Sequence, residues 1–191
     1  MRKGNSTLVL MCFVLGCGSH TAVAKEAPAT AQTTNERSPI GKPELLIVAG
    51  DIPVSQREAM LHAALEFYRF WATDDEQLLP LALSPLFVDH ALPKGRPQGP
   101  TGPAVAGKAF HAAVPDLQVA VTQQLLVADR VVSHLRFHGH FSGTFSNVHG
   151  MGQPIDFIAT DIVRVQNGLI TDNWHLEDNL TFLQQIGLVP Q

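Results

Sequence analysis

Large apolar residues return at helical spacing between Met60 and Trp71: Met60, Ala63, Ala64, Phe67 and Trp71, with Leu61, Tyr68 and Phe70 widening the same face. That period predicts a helix with one broad side buried. The Ser55-Gln56-Arg57-Glu58 quartet ahead of it has the form of a capping box, whose hydroxyl and carboxylate satisfy free amides at a helix start. Thr73-Asp74-Asp75-Glu76 repeats the capping pattern and predicts a short second helix, ended by Pro80 and Pro85. Pro103 suits the first turn of a third helix that runs to about Ala113 and stops before Pro115.

After Pro115 the pattern changes. Leu117 to Ala128, Arg130 to Phe141, Ile155 to Gln166 and Leu169 to Asp178 are rich in Val, Ile, Thr and Phe, and turn residues separate them, so four consecutive antiparallel strands are expected. Asn167-Gly168 is a strong hairpin signal between the last two. Leu86 to Leu92 reads as a short strand, and Asn179 to Ile186 as a closing helical turn before Gly187 and Pro190. The apolar run in Glu44 to Asp51 is too brief to separate strand from buried coil.

Helices followed by a meander of long strands form an α+β plan, with the helices gathered on one face of the sheet. Strands of ten to twelve residues must bend to wrap those helices, and a bent sheet leaves a hollow on its concave side. A pocket is therefore expected between the Ser55 helix and the last four strands.

Composition sets the limits of this plan. The chain has 191 residues, 45% hydrophobic and 16% charged, which suffices for one packed core. That core is assigned to residues 44–191. A net charge of −4, with no block of Lys or Arg beyond the N-terminus, leaves no basic field for a phosphate backbone, so nucleic acid is not an expected partner. Arg2 and Lys3, the apolar run Leu8 to Gly16 and the small residues after it make residues 1–24 an export signal, too short to be a spanning helix. Ala22-Val23-Ala24 fits one cleavage site. Val14-Leu15-Gly16-Cys17 resembles a lipobox and is the favoured reading, with Cys17 as a lipidated membrane anchor. The expected location is the periplasm or the cell envelope. Residues 18–43 are Ala, Thr, Pro and Ser with little to bury, and are read as a flexible tether. Both cysteines, Cys12 and Cys17, fall in the signal, so the folded part has no thiol for a disulfide or a nucleophile.

Five stretches carry a resemblance: "PLFVDHALPKGRPQGPTG", "AAVPDLQVAVTQQLLVADRVV", "GHFSGTF", "DIVRVQNGLITDNW" and "DNLTFLQQIG". In this order, over Leu65 to Gly187, they are similar to the SnoaL-like polyketide cyclase, or ester cyclase, branch of the nuclear transport factor 2-like superfamily. The resemblance implies a cone-shaped barrel, a curved antiparallel sheet wrapped around N-terminal helices, enclosing an apolar pocket for a small hydrophobic molecule. It also implies ring closure by aldol chemistry without a metal or cofactor, and a homodimer formed through the outer face of the sheet. The family's catalytic carboxylate falls on His175 here, and the His that accompanies it falls on Asp161, so the two residue types are exchanged. Imidazole titrates near neutrality and a carboxylate beside it fixes its tautomer, so the pair keeps the means for proton transfer.

The hairpin geometry poses a condition on that pair. With a two-residue turn Asp161 faces Trp174 and His175 points to the other side of the sheet; a one-residue bulge in either strand restores a common face.

Other candidates have competing readings. Asp89 and His90 end the short strand, as substrate contacts at the pocket mouth or as an ordinary turn. Asp178 is read as a helix cap, with a pocket acid as the alternative. His134, Arg136, His138 and His140 share one strand face, as a pocket or interface feature or a solvated row; no carboxylate or cysteine motif accompanies them, which disfavours zinc. Phe137, Phe157 and Trp174 are core residues that also qualify as cavity lining. Arg96 is read as a surface residue or as a contact for an anionic substrate group. Two functions remain open: a cofactor-free enzyme moving a proton next to a carbonyl, and an exported binding module or dimeric scaffold without catalysis.

Overall fold

The computed structural model describes residues 40–190. The expected export signal with Cys12 and Cys17, and all but the last few residues of the expected tether, lie outside the described residues.

The first helix, α1 (Val54–Thr73), buries Met60, Ala63, Ala64, Phe67, Tyr68 and Phe70, the face that the apolar spacing marks out. Its start differs from expectation. Pro53 occupies the cap position and makes no side-chain cap bond, because the chain is already helical at Val54 and Ser55 lies one residue inside; the capping box does not form. The helix stops at Asp74, whose left-handed backbone (φ 58°) turns its N–H back to the carbonyl of Phe70 at 2.8 Å. The next turn is capped by a side chain, but by Asp75, which accepts from the N–H of Gln77, and not by Thr73 of the expected box, which is still inside α1. Pro80 does not end the short helix. It sits in the first turn of α2 (Leu79–Ala82), where a missing N–H is of no consequence.

The sheet has six strands: β1 (Leu45–Ala49), β2 (Leu83–Asp89), β3 (Gln118–Val127), β4 (Arg130–Phe141), β7 (Gln153–Gln166) and β8 (Leu169–Glu177), in the spatial order β1-β3-β4-β7-β8-β2. A small hairpin, β5 (Thr144–Phe145) and β6 (Val148–His149), stands apart between β4 and β7. The four long strands pair antiparallel as expected. Both edges depart from that pattern, since β1 runs parallel to β3 and β2 parallel to β8. Glu44 to Asp51 thus resolves as an edge strand, and the Leu86 strand begins earlier, at Leu83.

Alternation along the strands sends Val119, Val121, Leu126, Val131, Leu135, Phe137, Ile155, Phe157, Ala159 and Val163 inward against α1. A third helix, α3 (Thr101–Ala113), closes over the same side, and α4 (Asn179–Gln185) follows β8. α3 approaches α1 closely at Gly107, where an added Cβ would lie 2.6 Å from Cζ of Phe70 and 2.9 Å from Oδ1 of Asp74. Helices followed by a curved multi-strand sheet are the α+β plan that the order of periods predicts, which the resemblance gives as a cone.

Candidate active site

One row of the inner sheet face breaks the apolar rule. Gln124 on β3 lies opposite Ser133 on β4, Ser133 opposite Asp161 on β7, and Asp161 opposite His175 on β8. Gln124, Ser133 and Asp161 are all buried. The row exists because β8 carries a bulge: Val165 pairs with Ile170 and Arg164 with Asp172, leaving Thr171 as the extra residue. The condition for a shared face is therefore met, and Asn173, His175 and Glu177 alternate inward while Asp172, Trp174 and Leu176 turn outward.

His175 is held from the neighbouring edge strand. Its Nε2 lies 3.3 Å from Oδ2 of Asp89, and its Nδ1 lies 3.9 Å from Oε1 of Glu177. The other oxygen of Asp89 accepts the N–H of Ala91 at 2.9 Å, and the backbone of Asp89 is clasped by Gln98, whose amide accepts from its N–H at 2.8 Å and donates to its carbonyl at 3.0 Å. A proton held on Nε2 toward Asp89 leaves the lone pair on Nδ1, the ring nitrogen on the Glu177 side. The expected orienting role of Asp161 thus passes to Asp89, because the imidazole turns toward β2 and makes no ion pair with Asp161.

Asp161 has a different character. Burial, then the negative charge of Glu177, push its carboxyl up to about 8, against the pull of the Tyr68 hydroxyl beside it. At neutral pH this side chain is a neutral acid. The Tyr68 hydroxyl is itself fully buried beside Asp161 and Ser133, short of a well-formed hydrogen bond to either, so burial prevails; desolvation and the neighbouring Asp161 also keep the phenol well above its usual range. Asn173 adds a buried carbonyl oxygen with no hydrogen-bond partner.

Asp89, Asp161, Asn173, His175 and Glu177 line a cavity of about 20 Å³ together with Phe67, Trp71, Phe87, Leu135 and Phe137. That space accepts a single small group and no ring. A second cavity of about 150 Å³ is walled by Phe110, Phe137, Phe145, Phe157 and Phe182. Trp71, Arg96, Phe137 and Glu177 line both, and so form the boundary between an apolar chamber and the polar end. A larger hollow of about 540 Å³ lies between residues 40–43, α1 and β3, where the titratable side chains are Lys42, His62 and Tyr68. It has more room but no acid/base pair, and chemistry rather than size decides the site.

Phe137 and Phe157 line the apolar chamber, and Asp89 the polar end. Four expected contacts lie elsewhere. Trp174 turns outward, stacked on the His90 ring at 4.4 Å with the Arg130 guanidinium 5.4 Å from its ring centre, and His90 binds Asp172 at 2.8 Å. Both residues belong to the outer face, because the bulge reverses Trp174 and the chain turns outward after Asp89. His138 shares the outer row of β4 with His134, which bonds Thr160, and His140, which bonds Asp116. Asp178 caps α4, the favoured of its two readings, accepting from the N–H and hydroxyl of Thr181, and the pocket-acid alternative falls. Glu177 and Asn173 were not anticipated, although an Asn-x-His-x-Glu alternation along a strand signals a common face. Arg96 is half-buried at the chamber boundary rather than on the open surface.

Comparison with known proteins agrees with this architecture. Residues 62–186 match the family model described as SnoaL-like polyketide cyclase. A candidate polyketide cyclase of known structure from Bacillus cereus ATCC 10987 is 39% identical, over 80% of this chain and 96% of its own, with a TM-score of 0.73. IdmH, a candidate polyketide cyclase from Streptomyces antibioticus, is 25% identical over 65% of this chain and 96% of its own, with a TM-score of 0.59. A SnoaL-like candidate from Jannaschia sp. CCS1, 18% identical over 74% of this chain and 100% of its own, shares the fold with a TM-score of 0.61. No curated protein matches.

Proposed function

The chain belongs to the SnoaL-like polyketide cyclase family, and from that premise we propose that it is a cofactor-free enzyme that moves a proton at a carbon next to a carbonyl of a small apolar substrate. The observation that carries this reading is His175, held by Asp89 at 3.3 Å and aimed into a polar pocket beside a neutral Asp161. The apolar body of the substrate rests among the phenylalanines, and only its carbonyl and the adjoining carbon enter the polar end. Nδ1 of His175 takes the proton from that carbon, and the electron pair moves onto the carbonyl oxygen to give an enolate. Asp161, which keeps its own proton at neutral pH, donates a hydrogen bond to this oxygen; an acid held neutral by burial suits that task. The enolate carbon then attacks a second carbonyl of the same molecule, and the imidazolium returns its proton to the new alkoxide. Stopping at the enolate and reprotonating elsewhere is isomerisation, which the same groups support. Asp89 stabilises the imidazolium in either case.

The second reading, a binding module, draws on the same phenylalanine chamber, which holds an apolar molecule whether or not it reacts. Small molecules that co-purify with the protein, identified by mass spectrometry, separate the two. Conversion of such a ligand by wild type to an isomer, or to a ring lacking one water, with His175→Ala returning it unchanged, is the expected result. A ligand held unaltered by wild type ends the catalytic reading.

The homodimer belongs to the same proposal. Ile158, Ile162 and Leu176 are exposed on the outer sheet face, at 46%, 39% and 77%, and a second copy covering them removes an apolar patch from water. Light scattering is expected to give twice the chain mass for wild type and one chain for Ile162→Asp; a wild-type monomer contradicts it.

A further inference from the structure

Four of the six arginines of the domain are spent on carboxylates: Arg69 on Glu66, Arg130 on Asp129, Arg136 on Asp156 and Arg164 on Asp172. Of the other two, Arg57 lies in the first turn of α1 away from the pocket, and Arg96 faces into it. The Arg96 backbone N–H is tied to the carbonyl of Pro93 at 3.1 Å, but its guanidinium has no carboxylate or carbonyl partner among the described residues, although it is half-buried and lines both chambers of the pocket. A cation with five fixed donors, partly removed from water and left without an acceptor, is costly unless something supplies one.

The placement of this side chain is built rather than incidental. The Arg96 stem passes over Gly102 in the first turn of α3, where a Cβ would stand 3.7 Å from both Cγ and Cδ of Arg96 and 2.5 Å from the carbonyl of Pro97. A larger residue at Gly102 would push this segment away. Gln98, two residues on, clasps the backbone of Asp89, so the segment that carries Arg96 is fastened to the strand that holds His175. The first turn of α3 has no side-chain cap, and its Pro103 lines the polar end, which adds the positive end of a helix to the charge of Arg96.

We propose that Arg96 is a substrate-anchoring residue that receives a single carboxylate at the boundary between the two chambers, so that the enzyme prefers an apolar, ring-bearing acid to a neutral molecule of the same shape. A planar guanidinium matches a carboxylate through two parallel hydrogen bonds. The acids nearby set the charge of the guest: Glu177 shares the boundary and Asp89 lies beyond it, so a monoanion is accommodated and a phosphate dianion is repelled. Anchoring the acid at this point leaves the apolar rings in the phenylalanine chamber and aims the remaining small group at His175. The inference rests on the pocket being the reaction site, and its test is a binding measurement that needs no turnover.

Calorimetric titration with 2-naphthoate and with 2-naphthamide compares guests of the same shape that differ in charge. Wild type and His175→Ala are expected to bind the naphthoate roughly tenfold or more tightly than the amide, as a charge-assisted hydrogen bond to a partly buried group allows. Arg96→Gln is expected to bind both alike, Arg96→Lys to keep part of the preference, and Glu177→Gln to raise it. Equal binding of the two compounds by wild type, or a preference that survives in Arg96→Gln, overturns the proposal. A preference lost in His175→Ala but kept in Arg96→Gln also overturns it, by assigning the anion to the imidazole. None of these outcomes bears on whether His175 takes a proton, which is read from the exchange of neutral ketones.

Discussion

A protonated carboxyl inside the polar row is the residue-scale feature that most shapes the behaviour of this protein. Asp161 titrates at about 8 in the folded chain, against an ordinary carboxylate value near 4 when unfolded. Its neutral form therefore favours folding fully below that ordinary value, and the advantage is lost as pH rises toward 8, by about 1.4 kcal/mol per pH unit at most. Asp172 works in the opposite sense. Burial would raise it, but hydrogen bonds from His90, Thr171 and Arg164 outweigh burial and hold it at about 2, so its contribution is present above the ordinary value and lost as pH falls toward 2. Thermal melts between pH 5 and 8 should show wild type losing stability with rising pH and Asp161→Asn, which cannot ionise, staying level; parallel curves would contradict the assignment. The resemblance made His175 and Asp161 legible as a pair in the sequence. The role of Asp89 was not legible, since its meeting with His175 depends on a parallel pairing between strands far apart along the chain.

At the scale of elements, two local features decide whether the pocket exists. The Thr171 bulge sets the face on which His175 appears, and the sequence posed that question without answering it, because an extra residue in a strand has no compositional mark of its own. Gly107 sets the distance between α1 and α3, and with it the position of the wall formed by Ala106, Ala109 and Phe110. Gly107→Ala must displace the Phe70 ring or the helix, and helix propensity, which favours Ala, offsets only part of that strain. Urea denaturation is expected to show a loss of about 2 kcal/mol; an unchanged or raised midpoint would mean that the helices can separate freely. The long helices and strands were readable because their burial is periodic. The edges were less so: β2 was read as a strand only from Leu86, and β1 could not be separated from coil, because both are short and their apolar residues point to both faces.

For the whole molecule, helices closing over a curved sheet leave one end of the interior apolar and the other polar, and the boundary between them is where a substrate must present its reacting carbon. The general architecture followed from the order of periods along the chain, while the division of the pocket into two chambers follows from side chains on α1, α3, β4, β7 and β8 meeting in space. The central claim is that this boundary removes protons from carbon through His175. Its most direct test is solvent deuterium entering the carbon next to the carbonyl of small apolar ketones in heavy water, followed by mass spectrometry. Wild type is expected to accelerate the exchange, and His175→Ala to lower that acceleration about 100-fold or more; exchange that proceeds equally well without the imidazole would contradict the account.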